Sequence, residues 1–231
     1  GKFAKEQEES KNGATQEHAE MEVDGLKDSQ DDEVLDLELR EYQKELVSFA
    51  IERKDNTIIC APTNSGKTYM VAKIINDHLQ CREGVGKVAF LVHRVPLVEQ
   101  QASVFRKYCH GYSVGQASGL MHQQQKKGPL VETIKSNQIM VMTAGIVVNA
   151  LEERNITRRL ESITNFSLII FDECHNCTGG HDYARIMQHY KQYQNMGADI
   201  RNRLPQIIGI TASFGTNRSD DISKAYDHVI D

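Results

Sequence analysis

A chain of 231 residues with 39% apolar content can bury one sizeable core, or one domain and a tail. It has no apolar run of the roughly 18 residues that a membrane helix needs, and its first residues are polar, so the sequence predicts neither a membrane span nor a secretory signal. The net charge of −5 is unevenly spread: residues 1–33 hold 11 acids and 4 bases, leaving 21 acids and 23 bases elsewhere, a mildly basic body that permits a nucleic-acid partner without arguing for one.

Residues 1–33 are rich in Glu, Gln, Lys, Asp and Ser and nearly lack large apolar side chains, so they read as an acidic disordered tail or linker. The folded body is expected over residues 34–231. Leu35, Leu37, Leu39, Tyr42, Leu46, Val47 and Ala50 open it, with a helix expected from about Arg40 to Arg53. Short apolar runs follow at Thr57–Cys60, Lys87–His93, Ile139–Thr143, Ser167–Phe171 and Gln206–Thr211, with a weaker one at Tyr112–Ala117. They are nearly continuous rather than alternating, as strands covered on both faces are. Between them, Thr68–Leu79, Val95–Tyr108, Pro129–Ser136, Gly145–Arg154 and Tyr183–Met196 have helical composition. The alternation predicts one α/β domain with a doubly wound parallel sheet and functional residues at the C-terminal strand ends.

Two stretches carry chemistry. Ala61-Pro62-Thr63-Asn64-Ser65-Gly66-Lys67-Thr68 stands between the first strand and a helix, where a phosphate-binding loop belongs. Backbone N–H groups of Thr63, Asn64, Ser65 and Gly66 would wrap a polyphosphate at the helix N-terminus, with Lys67 on the outer phosphates and the Thr68 hydroxyl on Mg²⁺. Asp172 and Glu173 end another strand about a hundred residues later. There Asp172 would hold Mg²⁺ and Glu173 would orient and deprotonate an attacking water. These residues predict a nucleotide and Mg²⁺ as cofactors, in a signature that a kinase, a GTPase or a motor could share.

Together these residues resemble the superfamily 2 RNA helicases of the DExH type, in the branch of RIG-I-like receptors and Dicer. The resemblance covers about Leu37 to Thr216 and rests on an ordered series. Leu39-Arg40-Glu41-Tyr42-Gln43 is similar to the adenine-reading segment, which implies Gln43 on the adenine edge and Arg40 beside the base. Leu91 to Gln101 is similar to motif Ia, which implies His93 and Arg94 near the RNA backbone. Ser118-Gly119 and Thr143-Ala144 stand where the family makes two further backbone contacts. Asp172-Glu173-Cys174-His175-Asn176 resembles this branch's motif II, and Thr211-Ala212-Ser213 resembles motif III. Hydroxyls of Thr211 and Ser213 could then bond His175 or Asp172, coupling nucleotide to RNA. The fold so implied is the first RecA-like domain, the nucleotide is ATP, and the function is that of a double-stranded-RNA-dependent ATPase or helicase in antiviral sensing or RNA silencing.

Three departures qualify the resemblance. Asn64 stands where most relatives carry Gly, and Asn is the least costly alternative if that position needs positive φ. Thr178-Gly179-Gly180 replaces side chains that touch duplex RNA in relatives, and Tyr193–Arg203 reads as a polar insertion. Nothing after Ser213 has the length of a second RecA-like domain, so its arginines would be lacking and residues 1–231 alone would bind nucleotide weakly and hydrolyse it negligibly. Cys174, His175, Cys177 and His181 raise a zinc site, but without a second ligand pair the expectation is no structural zinc. The odd, scattered set Cys60, Cys81, Cys109, Cys174 and Cys177 predicts reduced thiols in a cytoplasmic protein. Two other readings stay open: a non-catalytic RNA-binding scaffold, and a DNA translocase of the same superfamily.

Overall fold

A computed structural model describes residues 38–119, 130–177 and 180–212. The tail expected over residues 1–33, Thr178-Gly179 and Ser213 lie outside the described residues.

Six strands form one all-parallel sheet: β1 (Thr57–Cys60), β2 (Val88–Val92), β3 (Val114–Ala117), β4 (Ile139–Thr143), β5 (Leu168–Asp172) and β6 (Gln206–Thr211). Their order across the sheet is β1-β6-β5-β2-β4-β3. The weak run before Ala117 is thus a true strand, shortened to Val114–Ala117 and placed at the edge beside β4. An edge strand has a single ladder and less burial, which accommodates Gln116, whereas Gly115 is set by close packing, since a Cβ there would meet Met140 Sδ at 2.6 Å and Asn137 Nδ2 at 2.7 Å.

The helices are α1 (Glu41–Glu52), α2 (Lys67–Gln80), α3 (Val95–Tyr108), α4 (Leu130–Ser136), α5 (Ala144–Leu151), α6 (Asp182–Gln194) and α7 (Ala198–Arg201). The α5 helix stops at Leu151, short of the expected Arg154, because apolar side chains give way there to Glu152, Glu153 and Arg154. The supposed insertion at Tyr193–Arg203 holds the end of α6 and all of α7, and Tyr193 Oη donates to Glu161 O at 3.1 Å.

Alternation of side chains across each central strand supplies two cores. Val88, Phe90 and Val92 of β2, Leu168 and Ile170 of β5, and Ile208 and Ile210 of β6 pack with the helix side chains Val71, Ile74, Ile75, Val98 and Phe105. Ala89, Leu91, Ile169, Phe171 and Ile207 point to the other face and pack with Ile134, Val147, Tyr183 and Ile186. Burying both faces of β2 and β5 explains their nearly unbroken apolar sequences. Because every pairing is parallel, the C-terminal ends of all six strands lie along one edge of the sheet.

Candidate nucleotide site and the neighbouring strand exits

The phosphate loop leaves β1 and is anchored sideways, where Ala61 N–H donates to Thr211 O at 3.0 Å. Two residues in the loop take left-handed backbone, Asn64 at φ 60° and Gly66 at φ 76°. The Asn64 position therefore requires the conformation that Gly adopts freely, and Asn tolerates it better than other side chains do. Gly66 is fixed twice over, since a Cβ there would also meet Gln43 Nε2 at 2.5 Å. Lys67 and Thr68 open α2. Lys67 Nζ donates to Ala61 O at 3.0 Å and Pro62 O at 2.9 Å, drawing the ammonium back over the loop. Ser65 Oγ is buried without a hydrogen-bond partner. Thr63 is exposed and Thr68 half-buried.

Gln43 is buried on α1 with both ends of its amide engaged. Its Nε2 donates to Ser65 O at 2.8 Å and its Oε1 accepts from Arg40 N–H at 2.8 Å. Tyr42 Oη reaches the same Ser65 carbonyl at 2.8 Å. In this arrangement Gln43 braces the loop, and a bidentate contact with an adenine edge requires it to give up these bonds. Arg40 is exposed beside it. Tyr42 sits one residue before the residue singled out by the sequence, and its role as a second brace depends on the approach of α1 to the loop, which no local pattern encodes.

Asp172 closes β5, and Glu173 follows with left-handed backbone at φ 51°. A non-glycine residue held there costs about 1–3 kcal/mol, which the surrounding turn must offset. Asn176 does part of this, donating from its backbone N–H and from Nδ2 to Glu173 O, each at 3.0 Å. Burial, and then the neighbouring Glu173 charge, push the Asp172 carboxyl up to about 6, while a backbone hydrogen bond and Lys67 pull the other way. An acid destabilised in its charged form beside a phosphate loop is suited to a divalent cation, which would stabilise the carboxylate. His175 Nδ1 lies 2.9 Å from Thr211 Oγ1 and 3.3 Å from a Glu173 carboxylate oxygen, so it joins the end of β6 to the acidic pair.

The remaining sequence candidates stand at the exits of the other three strands. His93 follows β2 and is partly buried, with Nδ1 lacking a partner; burial and Arg94 hold its pKa below the ordinary value. Arg94 is exposed. Thr143 ends β4 and Ala144 opens α5. Ser118 is fully buried just after β3, whereas Gly119 is exposed and a Cβ there would meet no atom of this chain within 4 Å. The sheet order thus puts the phosphate loop, Thr211 and Asp172 at the exits of β1, β6 and β5, and His93, Thr143 and Ser118 at the exits of β2, β4 and β3. Cys174 is buried against Gly209, where an added Cβ would meet its Sγ at 2.8 Å, and burial pushes its thiol up to about 12. Among the described residues no three His, Cys, Asp or Glu side chains are grouped to hold a metal. No described helix is long and apolar enough to cross a membrane.

Comparison with known proteins gives a family match over residues 36–214, to the family described as type III restriction enzyme, res subunit (ResIII). The chain belongs to the ResIII family. It is 39% identical over 194 residues to human antiviral innate immune response receptor RIG-I, covering 82% of this chain and 20% of that protein. It is 35% identical over 195 residues to mouse ATP-dependent RNA helicase DHX58, covering 84% of this chain and 27% of the relative. Protein Dicer of Schizosaccharomyces pombe is 32% identical over 195 residues, covering 80% of this chain and 14% of the relative. Within the family this is the first RecA-like domain of a DExH superfamily 2 helicase of the RIG-I and Dicer type. The chain spans between about a seventh and a quarter of the length of these relatives.

Proposed function

We propose that this chain is the ATP-binding first motor domain of an ATPase driven by double-stranded RNA, acting in antiviral sensing or RNA silencing in the cytoplasm. The observation that carries the reading is the convergence of the Asn64–Thr68 loop, Asp172-Glu173 and the His175–Thr211 bond on adjoining strand ends β1, β6 and β5. The left-handed Asn64 and Gly66 and the unpartnered Ser65 hydroxyl fit a polyphosphate, and the destabilised Asp172 carboxylate fits Mg²⁺.

In this reading Lys67 exchanges the Ala61 and Pro62 carbonyls for phosphate oxygens, and Thr68 and Asp172 hold Mg²⁺. Bound Mg²⁺ supplies charge neutralisation on the phosphates. Glu173, fixed by its turn, accepts the proton of the attacking water, and His175 with Thr211 reports the state of the acidic pair to β6. His93, Arg94, Gly119 and Thr143 face RNA backbone, with the buried Ser118 and Ala144 holding those strand exits in place, which suits recognition of shape rather than sequence. A second RecA-like domain supplies the remaining arginines across the cleft, a contribution typically worth about 10³–10⁵ in rate. Residues 1–231 alone then bind nucleotide weakly and hydrolyse it negligibly.

The test is ATP turnover by the full-length protein with duplex RNA, single-stranded RNA and duplex DNA, alongside Lys67→Ala and Glu173→Gln. Stimulation by duplex RNA that both variants abolish is expected. Stimulation by DNA alone would overturn the choice of nucleic acid. An absence of stimulated turnover would favour a non-catalytic scaffold.

A further inference from the structure

The β5–β2 ladder is the seam between the two groups of strand exits, with Leu91 paired to Phe171. To one side stand the loop, Thr211 and Asp172; to the other, His93, Thr143 and Ser118. One side chain from outside the sheet lies across this seam. Tyr183, in the first turn of α6, is fully buried, with Phe171 edge-on at 4.8 Å and His181 edge-on at 4.9 Å between ring centroids. Its hydroxyl lies 2.8 Å from the carbonyl oxygen of Asp172 and 3.0 Å from that of Leu91, in donor geometry to both.

The geometry points to Tyr183 as a positioning residue that ties the β2 exit to the β5 exit, so that displacement at His93–Arg94 is transmitted to Asp172-Glu173. This rests on the function proposed above. The hydroxyl has a single proton and two carbonyl acceptors. A small movement of either strand end decides which acceptor takes the stronger bond, giving the discrete pair of arrangements that coupling requires. Burial raises the phenol far above its ordinary pKa, so the donor keeps its proton. Leu91 is two residues from His93, and Asp172 is itself the nucleotide-side carboxylate, so the path from one site to the other passes through one side chain. The plainer alternative is a core tyrosine whose hydroxyl is merely satisfied. Such a residue contributes stability and leaves the response to RNA intact.

The experiment compares the full-length wild type with Tyr183→Phe and with Phe105→Leu, a core change on the opposite face of the sheet, where Phe105 packs edge-on against Phe90 at 5.0 Å. Melting temperature, KM for ATP, and kcat with and without duplex RNA are measured for each. Tyr183→Phe should lower the ratio of RNA-stimulated to basal kcat by about 3- to 30-fold, with KM for ATP little changed. Phe105→Leu should lower the melting temperature and keep the wild-type ratio. A stimulated wild type beside an equally stimulated Tyr183→Phe would overturn the coupling alone, as would an equal loss of the ratio in Phe105→Leu. A wild type that RNA does not stimulate would overturn the proposed function and the coupling with it.

Discussion

Replacing Asp172 by Asn should stabilise this domain at neutral pH while weakening its use of Mg²⁺. The folded protein holds the Asp172 carboxyl at about 6 against an ordinary 3.8, chiefly by burial. A carboxyl raised on folding contributes stability that is fully present below its unfolded pKa and is lost as pH rises through its folded pKa. Wild type therefore loses about 3 kcal/mol between the region below 3.8 and the region above 6, from about two pKa units at 1.36 kcal/mol each. Asn carries no charge and escapes this loss, although its amide has a desolvation cost of its own that does not vary with pH. The informative quantity is thus the change with pH in the stability gap between variant and wild type. In EDTA, the melting temperature of Asp172→Asn relative to wild type should rise by up to about 10 °C as pH goes from 4 to 7.5. Parallel pH profiles for the two proteins, or a gap that widens toward acid, would refute the reasoning.

Other expectations follow from the loop and its neighbours. Asn64→Gly should raise stability by a few tenths of a kcal/mol up to about 1 kcal/mol and keep nucleotide binding, while Asn64→Val, β-branched at φ 60°, should lower both in thermal melts with and without ATP. Gly66→Ala should cost more than Asn64→Val in the same melts, because its Cβ meets Gln43 Nε2 at 2.5 Å as well as straining the backbone at φ 76°. Thr211→Val removes the hydroxyl 2.9 Å from His175 Nδ1 and should lower stability by about 1 kcal/mol, with RNA-stimulated turnover of the full-length protein falling more than ATP affinity.

Much of this fold was legible because β2 is apolar throughout and β4, β5 and β6 are apolar except at their ends, a pattern that two-sided burial imposes, while β1 at the other edge was marked by Ile58-Ile59 and by the phosphate loop that follows it. The phosphate loop was legible for a similar reason: its geometry depends on residues adjacent in sequence, so Asn64, Gly66 and Lys67 could be read in place. The edge strand Val114–Ala117 was faint because Gln116 is partly exposed and Gly115 is held small by Met140 and Asn137, so only its two ends carry apolar side chains. Gln43 and Tyr42 meet Ser65 more than twenty residues away, and Tyr183 reaches Leu91 at a separation of 92 residues, so those contacts depend on the sheet order rather than on any local pattern.

The proposed function requires Asn64–Thr68 and Asp172 to form one Mg²⁺–nucleotide site, and calorimetric titration of residues 1–231 with ATP reads that site without the rest of the protein. In Mg²⁺ a single weak site is predicted, lost in Lys67→Ala; Asp172→Asn should weaken it in Mg²⁺ but leave the residual affinity in EDTA unchanged. Equal binding by wild type and Lys67→Ala, or an affinity that Asp172→Asn leaves untouched in Mg²⁺, would contradict it.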